Sequence, residues 1–167
     1  MPSPDDLSAK VQAALQKKTP VMLSSLAAEF CVEEKAIALA LPADMAKTIP
    51  GDSFEKVWEA LAAWEKATFI IQHGGHVFEI KTRIAAGKTG RGYYNILGKE
   101  ALGGHIRADD IADICFLSLP FMGLESHSVQ FFDAGGHVVF SIYAGRGEDR
   151  RILPEVKEKF LALKASF

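Results

Sequence analysis

Thr68-Phe69-Ile70-Ile71-Gln72-His73-Gly74-Gly75-His76-Val77-Phe78-Glu79-Ile80-Lys81 is the stretch on which the fold turns. Both arms are rich in β-branched and aromatic residues, and Gly74-Gly75 supplies the positive φ angles of a two-residue turn. The reading is a β-hairpin in which His73 and His76 face each other. A solvent-exposed turn pair and a metal ligand both fit that placement. A structural zinc site needs four ligands, and no cysteine or carboxylate nearby completes the set.

Strand patterns continue after the hairpin. Tyr93 to Leu97 is short, His105-Ile106-Arg107 is extended, and Ile111 to Leu119 is apolar enough for a buried strand. Ser126 to Phe132 and His137 to Tyr143 alternate on either side of the Asp133-Ala134-Gly135-Gly136 turn. Pro154 then opens a helix with Val156, Phe160 and Leu163 on one stripe.

Before the hairpin the period is helical. Leu7, Val11 and Leu15 form one stripe, which Lys17-Lys18-Thr19-Pro20 terminates. Residues 22–41 read as two short helices with a bend near Cys31. Asp52 and Glu55 suit a capping box, with Phe54, Val57, Trp58, Leu61 and Trp64 on one face behind it. Helices at both ends of six to eight strands predict an α+β fold with an antiparallel β-sheet core, N-terminal helices and a C-terminal helix. The expectation is one domain over 1–167, with a helical lobe at 1–51 and helix, sheet and final helix at 52–167.

Composition bounds the function. The 167 residues are 49% hydrophobic and 24% charged, with net charge −2. Such a chain folds without disulfides and carries no basic excess that would mark nucleic acid as its partner. Met1 to Asp6 lacks the basic and apolar regions of a secretory leader, and no apolar run approaches the ~20 residues of a membrane span. The expected compartment is the cytoplasm, without membrane insertion. Cys31 and Cys115 both read as small buried thiols.

Several motifs carry little chemistry. Gly87-Lys88-Thr89-Gly90-Arg91-Gly92 resembles a phosphate loop, but Thr82 stands where its first glycine belongs, and a strand follows instead of a helix. Residues 22–41 have helix-turn-helix spacing, yet Glu33-Glu34 at the second helix would repel DNA, which favours packing. His127 and His137 sit in no triad context, and no nucleophile elbow occurs.

Gly92 to Gly123 is more distinctive. A lone histidine behind Gly103-Gly104 is commonly structural. Glycines nevertheless let a flat macrocycle approach the backbone, and a neutral imidazole can ligate its iron. Arg107, two residues along an extended chain from His105, shares its face and could meet a propionate. Tyr94, Phe116, Phe121 and Met122 could supply apolar walls.

Gly92-Tyr93-Tyr94-Asn95, Gly103-Gly104-His105-Ile106-Arg107-Ala108, Phe121-Met122-Gly123, Pro50-Gly51-Asp52-Ser53-Phe54 with Trp58, and Tyr143-Ala144-Gly145-Arg146 together resemble the HutX/ChuX family of haem-utilisation proteins. The resemblance spans about residues 20 to 155. It implies a HemS/ChuS/ChuX-like fold, haem (iron protoporphyrin IX) as the bound cofactor, and a homodimer mimicking the two halves of the larger HemS/ChuS proteins. It implies a carrier that receives, stores or delivers imported haem, with a haem importer or a haem-degrading enzyme as partner. His105 matches the family's ligand candidate. A second candidate falls on Gln72, with His73 beside it. Three arrangements stay open: His73 substitutes through a local bulge, iron has one protein ligand, or Tyr94 or water takes the sixth position. Arg107 or Arg146 would pair with propionates. The alternative is a haem-degrading enzyme using an external electron donor. A regulator acting on DNA or protein through the N-terminal helices is a third reading.

Overall fold

The computed structural model describes residues 3–17 and 20–167. Lys18 and Thr19, part of the expected stop of the first helix, lie outside them. The chain forms α1 (Pro4–Leu15), α2 (Leu23–Phe30), α3 (Glu34–Ala40), β1 (Ala46–Pro50), α4 (Phe54–Leu61), β2 (Ala67–His73), β3 (His76–Thr82), β4 (Gly87–Gly90), β5 (Tyr93–Ile96), β6 (Gly104–Ile106), β7 (Asp113–Leu117), β8 (Ser128–Phe132), β9 (Val138–Ala144) and α5 (Pro154–Ala165). Antiparallel pairing builds a six-stranded sheet, β1-β7-β8-β9-β2-β3, and a three-stranded sheet, β4-β5-β6. The expected α+β class with antiparallel sheet holds.

Alternation along the strands divides the large sheet into two unlike faces. On one face Phe131, Phe140, Ile142 and Ile114 pack under α4, α5 and the small sheet. Phe54, Val57, Trp58 and Leu61 supply the buried stripe of α4, and Trp58 donates its indole N–H to the Ala85 carbonyl at 2.9 Å. On the other face α1, α2 and α3 cover the β1–β7 side and reach the end of β8, through Val11, Leu26 and Ile37 against Cys115, Leu117 and Phe132. The rest of that face, from Ser128 and Gln130 of β8 across β9 and β2 to β3, has no helix packed over it.

The structure corrects several local expectations. The stretch read as helical up to Gly51 contains β1, which pairs with β7 from Ala46↔Leu117 to Pro50↔Asp113. Proline tolerates such an edge position because no ladder N–H is required there. The glycine-rich connection contains β4, whose Gly87 has no room for a side chain: a Cβ would lie 2.1 Å from the Asn95 carbonyl oxygen. The Asp52–Glu55 capping box does not form. Gly51–Ser53 is a 3₁₀ turn, Ser53 precedes α4 without a side-chain cap, and Glu55 instead accepts the Thr89 hydroxyl. Trp64 lies past the end of α4 but is still fully buried. Cys31 is exposed, since it caps α2 in the left-handed conformation (φ 54°) and turns outward between two helices. Ser128–Phe132 does not alternate in burial, because β8 is central: Val129 and Phe131 pack in the core, while Ser128 and Gln130 lie screened at the bottom of a concave face.

Candidate functional site

The small sheet places His105 and Asn95 side by side. β5 and β6 pair Tyr94↔Ile106 and Asn95↔His105, so the two pairs point to opposite faces. Tyr94 turns inward into the core, against Phe54 and Trp58. Asn95 and His105 turn outward, with Tyr93 edge-on to the imidazole at 6.1 Å. His105 Nδ1 lies 2.7 Å from Asn95 Oδ1. A Cβ built on Gly103 or Gly104 would meet nothing within 4 Å, so the glycine pair borders open space. Gly104 also adopts φ +149°, which other residues rarely do. Arg107 leaves the strand direction after β6 and pairs with Asp110 through Nε at 3.0 Å, with the side chain exposed. A guanidinium has five donors, so that pair leaves others over.

The remaining sequence candidates go elsewhere. The β2–β3 register runs unbroken from Ala67↔Thr82 to His73↔His76. Gln72 therefore shares the face of Thr68 and Ile70, and His73 the opposite face, with no bulge in this hairpin to exchange them. Both histidines of the turn are exposed. Tyr94 is fully buried, and its hydroxyl accepts the Gly87 N–H at 2.7 Å. The exposed tyrosine beside His105 is Tyr93.

Gln72, Phe121 and Arg146 meet at a second place, the part of the sheet that the helices leave uncovered. A cavity of about 640 Å³ lies there. Its floor is polar: Ser128, Gln130, Ser141 and Tyr143 occupy one face of β8 and β9, and Gln130 donates to Ser128 at 2.8 Å. Burial pushes the Tyr143 phenol above its ordinary pKa. Lys66, Lys81 and Arg150 bring positive charge to the lining, and Glu34 and Glu79 oppose it. Arg146 is already committed to backbone, donating to the Arg150 and Glu125 carbonyls at 3.0 and 2.8 Å. Met122 sits at φ 50° on the tip of the tight turn 121–124, beside a smaller hollow of about 250 Å³. The sequence reading missed the polar floor. Its signature was present as Ser-x-Gln and Ser-x-Tyr on strands whose alternate residues are large and apolar.

His127 is a different kind of histidine. It is buried, stacked on Phe160, and bonded at both nitrogens, to Ser118 Oγ at 2.8 Å and Glu125 Oε1 at 2.7 Å. No ring nitrogen is left for a ligand.

Residues 47–163 match the family profile described as haem utilisation ChuX/HutX. The chain belongs to the ChuX/HutX family. The Vibrio cholerae protein named intracellular heme transport protein HutX is 35% identical over 161 residues, covering 96% of this chain and 83% of its own length. The crystal structure of ChuX superposes with a TM-score of 0.86 at 28% identity, covering 93% of this chain and 96% of that one. A protein of Erwinia carotovora gives 0.87 at 31% identity, with 99% of each chain covered. PhuS, a heme-binding protein of Pseudomonas aeruginosa, shares the fold at 14% identity and a TM-score of 0.75, over 45% of its length. This chain thus matches a little under half of that protein's length.

Proposed function

We propose that this chain binds haem inside the cell and carries it, receiving, storing or delivering imported haem, with His105 as the protein ligand to iron. The observation that carries the ligand assignment is the outward imidazole of His105 beside two glycines with open space around them. A porphyrin needs a nitrogen donor and an unobstructed approach for its flat face, and the outer side of β5–β6 offers both. Arg107, exposed next to the same strand, is the cation placed to meet a propionate. The named activity of the Vibrio relative, at 35% identity over nearly the whole chain, supports the same reading. Among the described residues no helix is long and apolar enough to cross a membrane.

The test is a titration of the purified protein with ferric haem, followed by its Soret band. Wild type forms a saturable complex, and His105→Ala changes its spectrum and weakens it. An unchanged spectrum in His105→Ala would remove that residue from the role.

A second seat is favoured by one observation: the sheet-face cavity has a volume typical of small-molecule sites and gathers Gln72, Phe121 and Arg146. If haem sits there, Tyr143→Phe and Gln130→Leu perturb the spectrum and His105→Ala does not. Degradation of haem would need an external electron donor. Incubation of the complex with ascorbate separates the two activities, because a carrier keeps its Soret band. The dimer belongs to this proposal as well. Val77 and Phe78 are exposed on the edge strand β3 and offer apolar surface to a second copy. Sedimentation equilibrium of wild type against Phe78→Glu reads it directly.

A further inference from the structure

We infer that Asn95 is a positioning residue for iron ligation: it fixes the His105 imidazole as the Nδ1–H tautomer and leaves Nε2 as the bare, outward donor. The inference rests on the haem-ligand reading of His105 and names the group that prepares that ligand.

The argument is one of donors and acceptors. The Asn95 side-chain nitrogen lies 3.1 Å from the Lys88 carbonyl, 3.2 Å from the Gly90 carbonyl and 3.3 Å from its neighbour Tyr93's carbonyl. All three are acceptors only, so the atom facing them is the NH₂ group. A flipped amide would set an oxygen against three oxygens. Oδ1 is thereby the atom facing His105 at 2.7 Å, and an amide oxygen can only accept. His105 Nδ1 must supply the proton. In a neutral imidazole the other nitrogen then carries a lone pair, and Nε2 has no hydrogen-bond partner among the described residues. A donor nitrogen held this way, with its partner N–H anchored to a fixed oxygen, is the arrangement by which an outer residue orients a ligating histidine and raises its basicity. The backbone enforces it: Asn95 and His105 are directly paired residues of β5 and β6, so no rotation of the hairpin separates them.

Asn95 also holds the β4–β5 turn through those three carbonyls, and this structural role has to be separated from the positioning role. Asn95→Asp and Asn95→Ala both lose the NH₂ donors, and Asp in addition sets an oxygen against those carbonyls, so the turn is disturbed at least as much in Asp as in Ala; only Asp keeps an oxygen for His105.

The first experiment uses the protein without haem. Long-range ¹H–¹⁵N correlation spectra of ¹⁵N-histidine-labelled protein report each ring's tautomer. His105 is expected as Nδ1–H in wild type and Asn95→Asp, and as the Nε2–H form that free side chains favour in Asn95→Ala. An Nε2–H wild type would overturn the inference and leave ligation by His105 standing. The second experiment adds ferric haem. Asn95→Ala is expected to bind about 10-fold more weakly, Asn95→Asp to bind more tightly than Asn95→Ala despite its more disturbed turn, and the reduction potential to become more negative in the order Ala, Asn, Asp as ligand basicity rises. Equal losses in Asp and Ala, or wild-type binding in Ala, would overturn the positioning role. A Soret band unaltered by His105→Ala would instead bring down the ligation reading, and the role of Asn95 toward iron with it.

Discussion

The backbone N–H of Gly87 donates to the phenolic oxygen of Tyr94 at 2.7 Å, across β4 and β5, in the sheet that carries the candidate site. Tyr94 is 1% exposed, and burial raises its pKa above that of an ordinary tyrosine. A phenol so placed is a brace. It ties β4 to β5 and packs on Phe54 and Trp58 beneath the sheet whose outer side bears His105 and Asn95. Tyr94→Phe keeps the ring and deletes the acceptor, which strands the Gly87 N–H at a cost of about 1–3 kcal/mol. Urea denaturation should register that loss, while the haem spectrum of the folded variant stays as in wild type. A changed spectrum would return Tyr94 to the list of ligands.

Gly51 has no room for a methyl group, since a Cβ there would lie 1.8 Å from the Ile111 carbonyl oxygen. Its own N–H donates to the Ala112 carbonyl at 2.9 Å, so the backbone cannot retreat without breaking that bond. Gly51→Ala should cost about 3 kcal/mol, the upper end for overpacking. Gly103→Ala, with nothing within 4 Å, is the control and should stay near wild type. Thermal melts of the pair check both.

Glu125 predicts an acid-sensitive loop. Hydrogen bonds from Lys157 and then His127 hold its carboxyl below the ordinary value of 4.5. A carboxylate favoured in the folded state stabilises the protein fully above its unfolded pKa, and that contribution fades as pH falls through the lower folded value. Wild-type Tm should therefore decline below about pH 4.5 more steeply than that of Glu125→Gln. Parallel slopes from pH 6 to pH 3 would contradict this. The pair is solvent-exposed enough for salt to weaken the difference.

The two cysteines should part company under alkylation. Cys31 is exposed, while Cys115 is buried and its thiol is pushed up to about 11 by desolvation. Thiolate is the reactive form, so iodoacetamide at pH 8 should label one site in the folded protein and two in guanidinium. Mass spectrometry of the peptides identifies which.

Periodicity revealed the elements whose two sides differ. The β2–β3 hairpin announced itself by Gly74-Gly75, and α4 and α5 by Trp58 and Phe160 recurring at helical spacing. β1 and β4 escaped because Ala46-Lys47-Thr48-Ile49-Pro50 and Gly87-Lys88-Thr89-Gly90 carry almost no apolar alternation; their strands are imposed by their partners, β7 far along the chain for β1 and the adjacent β5 for β4. At the candidate site, His105 was legible from its glycines. Asn95 was not, because its meaning lies in a pairing across β5 and β6 and in three backbone carbonyls. The same holds for the cavity floor, where Gln130 and Tyr143 come together only after two strands have been laid side by side. Arg146 shows the converse: a cation that reads as free in sequence is tied to two carbonyls once the loops close.

The strand order has a consequence for how the chain is born. β1 waits for β7, and Ala46 finds Leu117 only after 71 further residues have been made. β2 and β3 can zip at once, but the strand that joins them to the sheet is β9. Helices α1 to α3 leave the ribosome well before the strands they cover and have no surface to settle on until Cys115, Leu117 and Phe132 arrive. Assembly of this architecture is a late, concerted event with distant pairings and slow kinetics, and a nascent chain halted before β7 holds its oily helices α1 to α3 bare to the cell's chaperones.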